Sequence, residues 1–440
     1  MLKIISFFIV ALYGTDALLA DNGTSPSFEA RSEKIKVKTI NGLMIAPVSV
    51  NGIELLLLVD TGSSHTLIFG NTTADSIVLK NIRKINIQAP GKNMLVDAYE
   101  TNGNILEIGK QRHLNKRLYL IYETGAQLSY HLGSEVHGIL GGDILSKYIV
   151  ELNYTRKLLW LHPANSQDIK CNSPCFESEL RVHNNKPHIM LPGFSDLQPQ
   201  KMMLIDSGNG DAVWVFDADS TLVEQQKYII DFLGRSLSDD VYGKRFRHKF
   251  WRWSQEISFE HIILSVPDVS AWSKGIIESG RDGSIGAEIL KRFKITINYP
   301  NRRIYFKKNR SFDEVFRYNI AGIGIIQSGN ELVSDYVKTS TFKTNYNIDV
   351  PDQLVTSNKV LDFFLVPEYT IDYIRPNSTA ERIGLKEGDK IVSINNRKAY
   401  RMELNELYAY FFGERSSTIK IKVVRKGVPL LYKFELQKEI

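Results

Sequence analysis

Two short stretches decide how this chain is read: V-D-T-G-S-S, Val59 to Ser64, and I-D-S-G-N, Ile205 to Asn209. Each follows apolar, strand-like sequence with an aspartate, a hydroxyl residue and a glycine. Asp60 and Asp206 lie 206 − 60 = 146 residues apart. A second matched pair repeats at nearly that distance. The run H-G-I-L-G-G-D-I-L-S-K-Y-I-V-E-L-N-Y, His137 to Tyr154, is echoed by G-S-I-G-A-E-I-L-K-R-F-K-I-T-I-N-Y, Gly283 to Tyr299. Gly141 maps onto Gly286 and Asp143 onto Glu288, an offset of 286 − 141 = 145. An internal duplication has placed a carboxylate on a tight turn twice in one polypeptide.

Two carboxylates held about 3 Å apart cannot both ionise, so the pair keeps one proton. Such a pair can take a proton from a water and lend one to a carbonyl or a leaving nitrogen, which is what amide hydrolysis requires. The neighbouring residues suit the task. Gly62 and Gly208 permit the tight turns and a close backbone approach. The Thr61 and Ser207 hydroxyls are expected to cross-link the two turns. Ser63 is expected to donate to the Asp60 carboxylate from outside, with Asn209 in the corresponding place beside Asp206. Gly141 and Gly286 suit a strand passing close to each turn.

The two turns and the two apolar-glycine segments resemble the pepsin-like and retropepsin-like aspartic proteases. The resemblance covers about Ile35 to Lys308. It implies that Asp60 and Asp206 are the catalytic dyad, supported by Thr61, Gly62, Ser63, Ser207, Gly208 and Asn209. Asn209 departs from the first copy, which has Ser63 at that place. Tyr99, in Y-E-T-N-G, is a candidate for the flap over such a site.

The C-terminal part is different in kind. P-N-S-T-A-E-R-I-G-L-K-E-G-D-K-I-V-S-I-N, Pro376 to Asn395, resembles a PDZ domain of the kind fused to bacterial proteases. That resemblance implies capture of an extended peptide by its C-terminus. Gly322, Ile323, Gly324 and Ile325 are candidates for the carboxylate-binding loop, and Leu404 and Leu407 for the helical wall of the groove.

The expected architecture is mainly β, with two homologous lobes forming one cleft and a PDZ-like domain after them. The lobes are read at 30–162 and 188–310, a polar connector at 163–187, and the last domain at 312–440 with an insertion near 327–363. Lys3 followed by I-I-S-F-F-I-V-A-L reads as a secretory signal peptide over residues 1–20, cut after Ala20 or Ala17, with an uncleaved anchor as the alternative. The expected location is therefore periplasmic or extracellular. In such a compartment Cys171 and Cys175, two cysteines in a chain of 440 residues, form one small-loop disulfide. A metal site using them with His183 and His188 is the weaker reading, because their spacing fits no zinc pattern.

No later run reaches the roughly 20 apolar residues of a membrane helix. A formal charge of +6, spread along the chain, gives no nucleic-acid footprint. His65 beside Ser63 and Ser64 lacks the G-x-S-x-G context of a serine hydrolase. Gly208-Asn209-Gly210 lacks the third glycine of a dinucleotide loop. Trp251 and Trp253 share a strand face and read as core. The expected function is an exported aspartic endopeptidase that needs no cofactor and acts on peptides or proteins. The alternatives are an inactive peptide-binding relative and a PDZ-centred scaffold.

Overall fold

The computed structural model describes residues 6–8, 31–70, 76–88, 95–122, 125–166, 174–195, 198–216, 223, 226–236, 240–268, 280–338 and 359–440. Most of the expected leader, including Ala17 and Ala20, and also Cys171, lie outside the described residues. Ser6–Phe8 forms a short edge strand of the second lobe's sheet.

The architecture is mostly β. Alternating apolar residues give strands such as Thr418–Arg425 one face for the core, whereas central strands such as Tyr148–Asn153 are buried on both faces, and Asn-Gly pairs supply some of the reversals. Asn41-Gly42 and Asn51-Gly52 adopt positive φ (53° and 81°, 50° and 88°), the geometry that tight hairpins need. The first lobe's sheet runs in the order Lys38–Ile40, Leu43–Val50, Ile53–Val59, Gly138–Leu140, Leu67–Phe69, Gln111–Ile121, Leu95–Ile108 and Arg83–Gln88. The second lobe's central strands are Val213–Val215, Gly283–Ile285, Lys201–Ile205 and Lys186–Leu191.

The duplication is visible in the pairing. Gly138–Leu140 lies parallel to Ile53–Val59 and antiparallel to Leu67–Phe69. Gly283–Ile285 likewise lies parallel to Lys201–Ile205 and antiparallel to Val213–Val215. A third sheet joins the lobes through their most central strands. Tyr148–Asn153 pairs antiparallel with Phe293–Asn298, Val150 opposite Ile297 and Leu152 opposite Ile295. Trp251 and Trp253 are buried and pack against Phe259, with Trp253 also on Phe293 and Phe306.

Parts of two stretches expected to be irregular form strands. The polar segment 163–187 carries Phe176–Glu179, which pairs with Arg303–Lys308, and Arg181–His183, which pairs with Lys186–Leu191. Second-lobe structure therefore begins earlier than its polarity suggests. Within the expected insertion near 327–363, residues 327–338 and 359–363 belong to a long antiparallel ribbon, Ile323–Lys338 against Lys359–Ile374, and residues 339–358 lie outside the described residues. Bulges at Gly324/Ile325 and Gln327/Gly329 break the alternation that would have marked those strands.

The C-terminal domain adds Lys390–Ile394, Thr418–Arg425 and Val428–Glu435 to that ribbon. Its helix Leu404–Phe411 starts in a capping box between Glu403 and Glu406, which satisfies backbone donors the helix cannot pair itself. The domain packs on both lobes. His131 Nδ1 lies 3.4 Å from Asp372, and the Phe232 and Tyr373 rings are 5.7 Å apart. Buried Asp231 meets Arg375 at 3.9 Å and Arg245 at 3.1 Å, and Arg245 continues to Asp211 at 2.8 Å.

Candidate active site

Each turn is hung from a neighbouring strand. The Asp60 N–H donates to Leu140 O at 3.1 Å, and the Asp206 N–H to Ile285 O at 2.9 Å. Beyond each carboxylate the chain is tied again: Gly142 N–H to Ser63 O at 2.8 Å, Ala287 N–H to Asn209 O at 2.6 Å. These bonds force very close approach. A methyl group on Gly141 would collide with the His65 carbonyl, and one on Gly286 with that of Asp211. Only glycine fits at either crossing.

The structure brings the two aspartates together at the lobe boundary, both almost fully buried. The turns interlock, since any Cβ on Gly62 would strike the Asp206 carboxylate and any Cβ on Gly208 that of Asp60. Four hydrogen bonds fasten them. The Thr61 N–H donates to Ser207 Oγ and the Ser207 N–H to Thr61 Oγ1, each at 3.0 Å. Thr61 Oγ1 then donates to Ile205 O at 2.6 Å and Ser207 Oγ to Val59 O at 2.7 Å. Each hydroxyl accepts one bond and gives one, so both are paired in this buried junction.

Backbone donors address the carboxylates: Gly62 N–H reaches Asp60 Oδ1 at 2.8 Å, and the Gly208 and Asn209 N–H groups reach Asp206 Oδ1 at 3.1 Å each. These bonds favour the ionised form, but burial outweighs them. The Asp60 carboxyl is raised well above the usual carboxylate range, first by burial and then by the charge of Asp206. Burial also raises Asp206, opposed by Arg281 and Lys186. A pair that resists losing its last proton can both donate and accept one.

The expected side-chain contact from Ser63 is not made. Its hydroxyl donates to His65 O at 2.8 Å, because the turn aims it along the strand, and the backbone N–H of Ser63 faces Asp60 instead. Asn209 behaves likewise: its amide donates to Ser284 Oγ at 3.2 Å and its Oδ1 accepts from Asp211 N–H at 2.9 Å, leaving its backbone to serve Asp206. The Ser-to-Asn difference between copies therefore leaves the backbone contact to each carboxylate in place. Tyr99 sits inside the strand Leu95–Ile108, opposite Leu120 and edge-on to Tyr122, and not at a hairpin tip. Residues 89–94, before that strand, lie outside the described residues.

Cys175 is disulfide-bonded, and its expected partner Cys171 lies outside the described residues. Among the described residues no three potential metal ligands come together, and no helix is long and apolar enough to cross a membrane. Sequence reasoning missed Lys186. It is buried beside both aspartates, and burial lowers its ammonium to about 7 although the two carboxyls favour its charge.

The candidate groove of the C-terminal domain is closed. Ile323, Ile325, Leu404 and Leu407 are fully or nearly fully buried, and Gly322 turns at φ 73° against Ser378. Tyr408 Oη accepts from Ile325 N–H at 2.7 Å and donates to Ile325 O at 2.8 Å. Those two backbone groups are the ones an added peptide strand would pair. The first-lobe helix Gly125–Leu132 also packs on the same strand, Ile323–Lys338. The helical spacing of Leu404, Leu407, Tyr408 and Phe411 marks a buried face, but it gives no sign that one hydroxyl would cap the strand.

An aspartyl protease family model matches residues 46–144, and a PDZ domain model matches residues 370–425. No curated protein matches the chain in sequence. A crystal structure of an aspartic proteinase from Irpex lacteus aligns with a TM-score of 0.39 at 12% identity, over 64% of this chain and 99% of that one. The chain carries an aspartyl protease domain and, at its C-terminal end, a PDZ domain.

Proposed function

We propose that the protein is an exported aspartic-type endopeptidase that hydrolyses internal peptide bonds with a water activated between Asp60 and Asp206. The observation that carries this reading is the interlock of the two turns, which sets each carboxylate against the other turn's glycine. In this mechanism the ionised carboxylate takes a proton from the water as its oxygen attacks the scissile carbonyl. The protonated partner hydrogen-bonds to the carbonyl oxygen and gives up its proton as that oxygen gains charge. The tetrahedral diol collapses when a carboxyl proton passes to the amide nitrogen, which leaves as an amine, while a diol hydroxyl gives its proton to the other carboxylate and becomes the product carbonyl. The dyad ends with one proton again, and no covalent enzyme intermediate forms.

The export reading rests on the apolar leader after Lys3 and on the disulfide at Cys175, which suits an oxidising compartment. The PDZ domain is read as a peptide-responsive element whose ligand, a free peptide C-terminus, must first displace Tyr408. The test uses full-length protein, an internally quenched peptide library and a statine-type transition-state mimic. Cleavage should occur inside blocked peptides, be stopped by the mimic, and vanish in both Asp60→Asn and Asp206→Asn. Specific activity should stay flat on dilution, since both acids belong to one chain. Wild-type rates in either variant would place the chemistry elsewhere.

A further inference from the structure

The two lobes can be compared position by position, and one difference beside the dyad stands out. The first hairpin places Gly42 against Ala287, and the second places Asn185 against Gly142. Ala287 and Gly142 are themselves equivalent (287 − 142 = 145). The residue after each turn is therefore Leu43 in one lobe and Lys186 in the other. The ladders agree: Ile40 pairs Leu43 as His183 pairs Lys186, and Ile45 pairs Leu58 as His188 pairs Leu204. By the same reckoning Val136, two residues before Gly138, corresponds to Arg281, two before Gly283.

Leu43, Ile45 and Val136 belong to one apolar cluster of the first lobe. Their counterparts are Lys186, His188 and Arg281, at 5, 3 and 7% exposure. The fold does not require cations there, because the first lobe builds the same framework from hydrocarbon. Burial holds His188 far down, to about 3. Lys186 and Arg281 repel each other, and both face Asp206; Lys186 also faces Asp60. Arg281 lies over the Phe216 ring at 4.9 Å. The Lys186 ammonium has no hydrogen-bond or ion-pair partner among the described residues. A buried ammonium without such a partner is costly.

We propose that Lys186, backed by Arg281, forms a carboxylate-accepting subsite on the second-lobe wall beside the dyad, so that cleavage favours an acidic side chain next to the scissile bond. This rests on the dyad reading above and adds a substrate class to it. The incoming carboxylate supplies a negative charge and acceptor atoms to the Lys186 ammonium. A bond of that kind in a desolvated site discriminates Glu from Gln by about tenfold.

The experiment uses full-length protein and peptides blocked at both ends, identical except for Glu or Gln at each position flanking the cut bond. Wild-type kcat/KM should favour Glu about tenfold at one position. Lys186→Leu, which installs the first lobe's residue, should bring that ratio to about one while still cutting the Gln peptide, and Lys186→Arg should retain the preference. A binding arm guards against a variant that fails to fold: Asp60→Asn is titrated calorimetrically with the same peptides and should bind the Glu peptide more tightly. Equal handling of Glu and Gln by wild type and by Asp60→Asn overturns the subsite. A preference seen only in peptides with a free C-terminus assigns the carboxylate to the chain end and overturns the side-chain assignment. If Asp60→Asn still cuts, the dyad reading fails, and the Glu/Gln ratio continues to decide the subsite separately.

Discussion

Thr61 and Ser207 each present a backbone N–H to the other's hydroxyl at 3.0 Å, so the two lobes are joined at the one place where their carboxylates must stay aligned. Thr61→Val removes that hydroxyl without changing the side chain's shape. It strands the Ser207 N–H and the Ile205 carbonyl in a buried site, at a cost of about 3 kcal/mol. Urea unfolding should register the loss, with activity falling more than stability alone explains. Thr61→Ser keeps both bonds and should behave nearly as wild type.

The raised Asp60 carboxyl has a signature in stability against pH. Below about pH 4 the group is protonated in both folded and unfolded chains and contributes nothing. Above that, the unfolded chain ionises first while the folded chain holds its proton, so stability falls as pH rises toward the folded value. Asp60→Asn escapes this loss. Its advantage over wild type should be absent at pH 3 and grow toward neutrality, measured by denaturant titration at each pH. The same retained proton should put the alkaline limb of kcat/KM above the ordinary carboxylate range.

Tyr408→Phe should open the PDZ groove. Without the hydroxyl, Ile325 N–H and C=O become available to an added strand, and affinity for peptides with free apolar C-termini should rise about tenfold. Fluorescence polarisation with full-length protein measures this. Equal affinities in wild type and variant would show that Tyr408 does not gate the groove.

Asp231→Ala should loosen the C-terminal domain from the second lobe. The carboxylate sits between Arg375 and Arg245, and its removal leaves buried guanidinium groups short of charge. Breaking a buried pair from one side costs about 3 kcal/mol. A lower thermal midpoint should appear first in fluorescence from the lobe's tryptophans, and limited proteolysis should cut sooner near the domain junction.

The duplicated turns were legible because glycine at Gly62, Gly208, Gly141 and Gly286 leaves a mark no other residue can supply. The strand ladder around them followed from alternation and Asn-Gly reversals. The ribbon from Ile323 was hidden because its bulges disrupt the alternation, and polar Phe176–Glu179 because an edge strand needs few apolar residues. Ser63 and Tyr408 failed for a shared reason. A hydroxyl's partner depends on a local direction of a few tens of degrees, which residue type does not encode. Lys186 was invisible for another: one lysine after a turn reads as a solvated tip until the opposite lobe is seen covering it.

A cleft made of two identical halves offers the same surface to a peptide running either way, and so cannot tell its N-terminal side from its C-terminal side. Here Leu43 stands where its counterpart is Lys186. With the proposed subsite, reversing a bound peptide would move its side chains relative to the Lys186 ammonium, and the two orientations would differ in energy. Once duplicated within one chain, the halves were free to diverge, and under the proposed subsite that divergence would give the cleft a sense of direction.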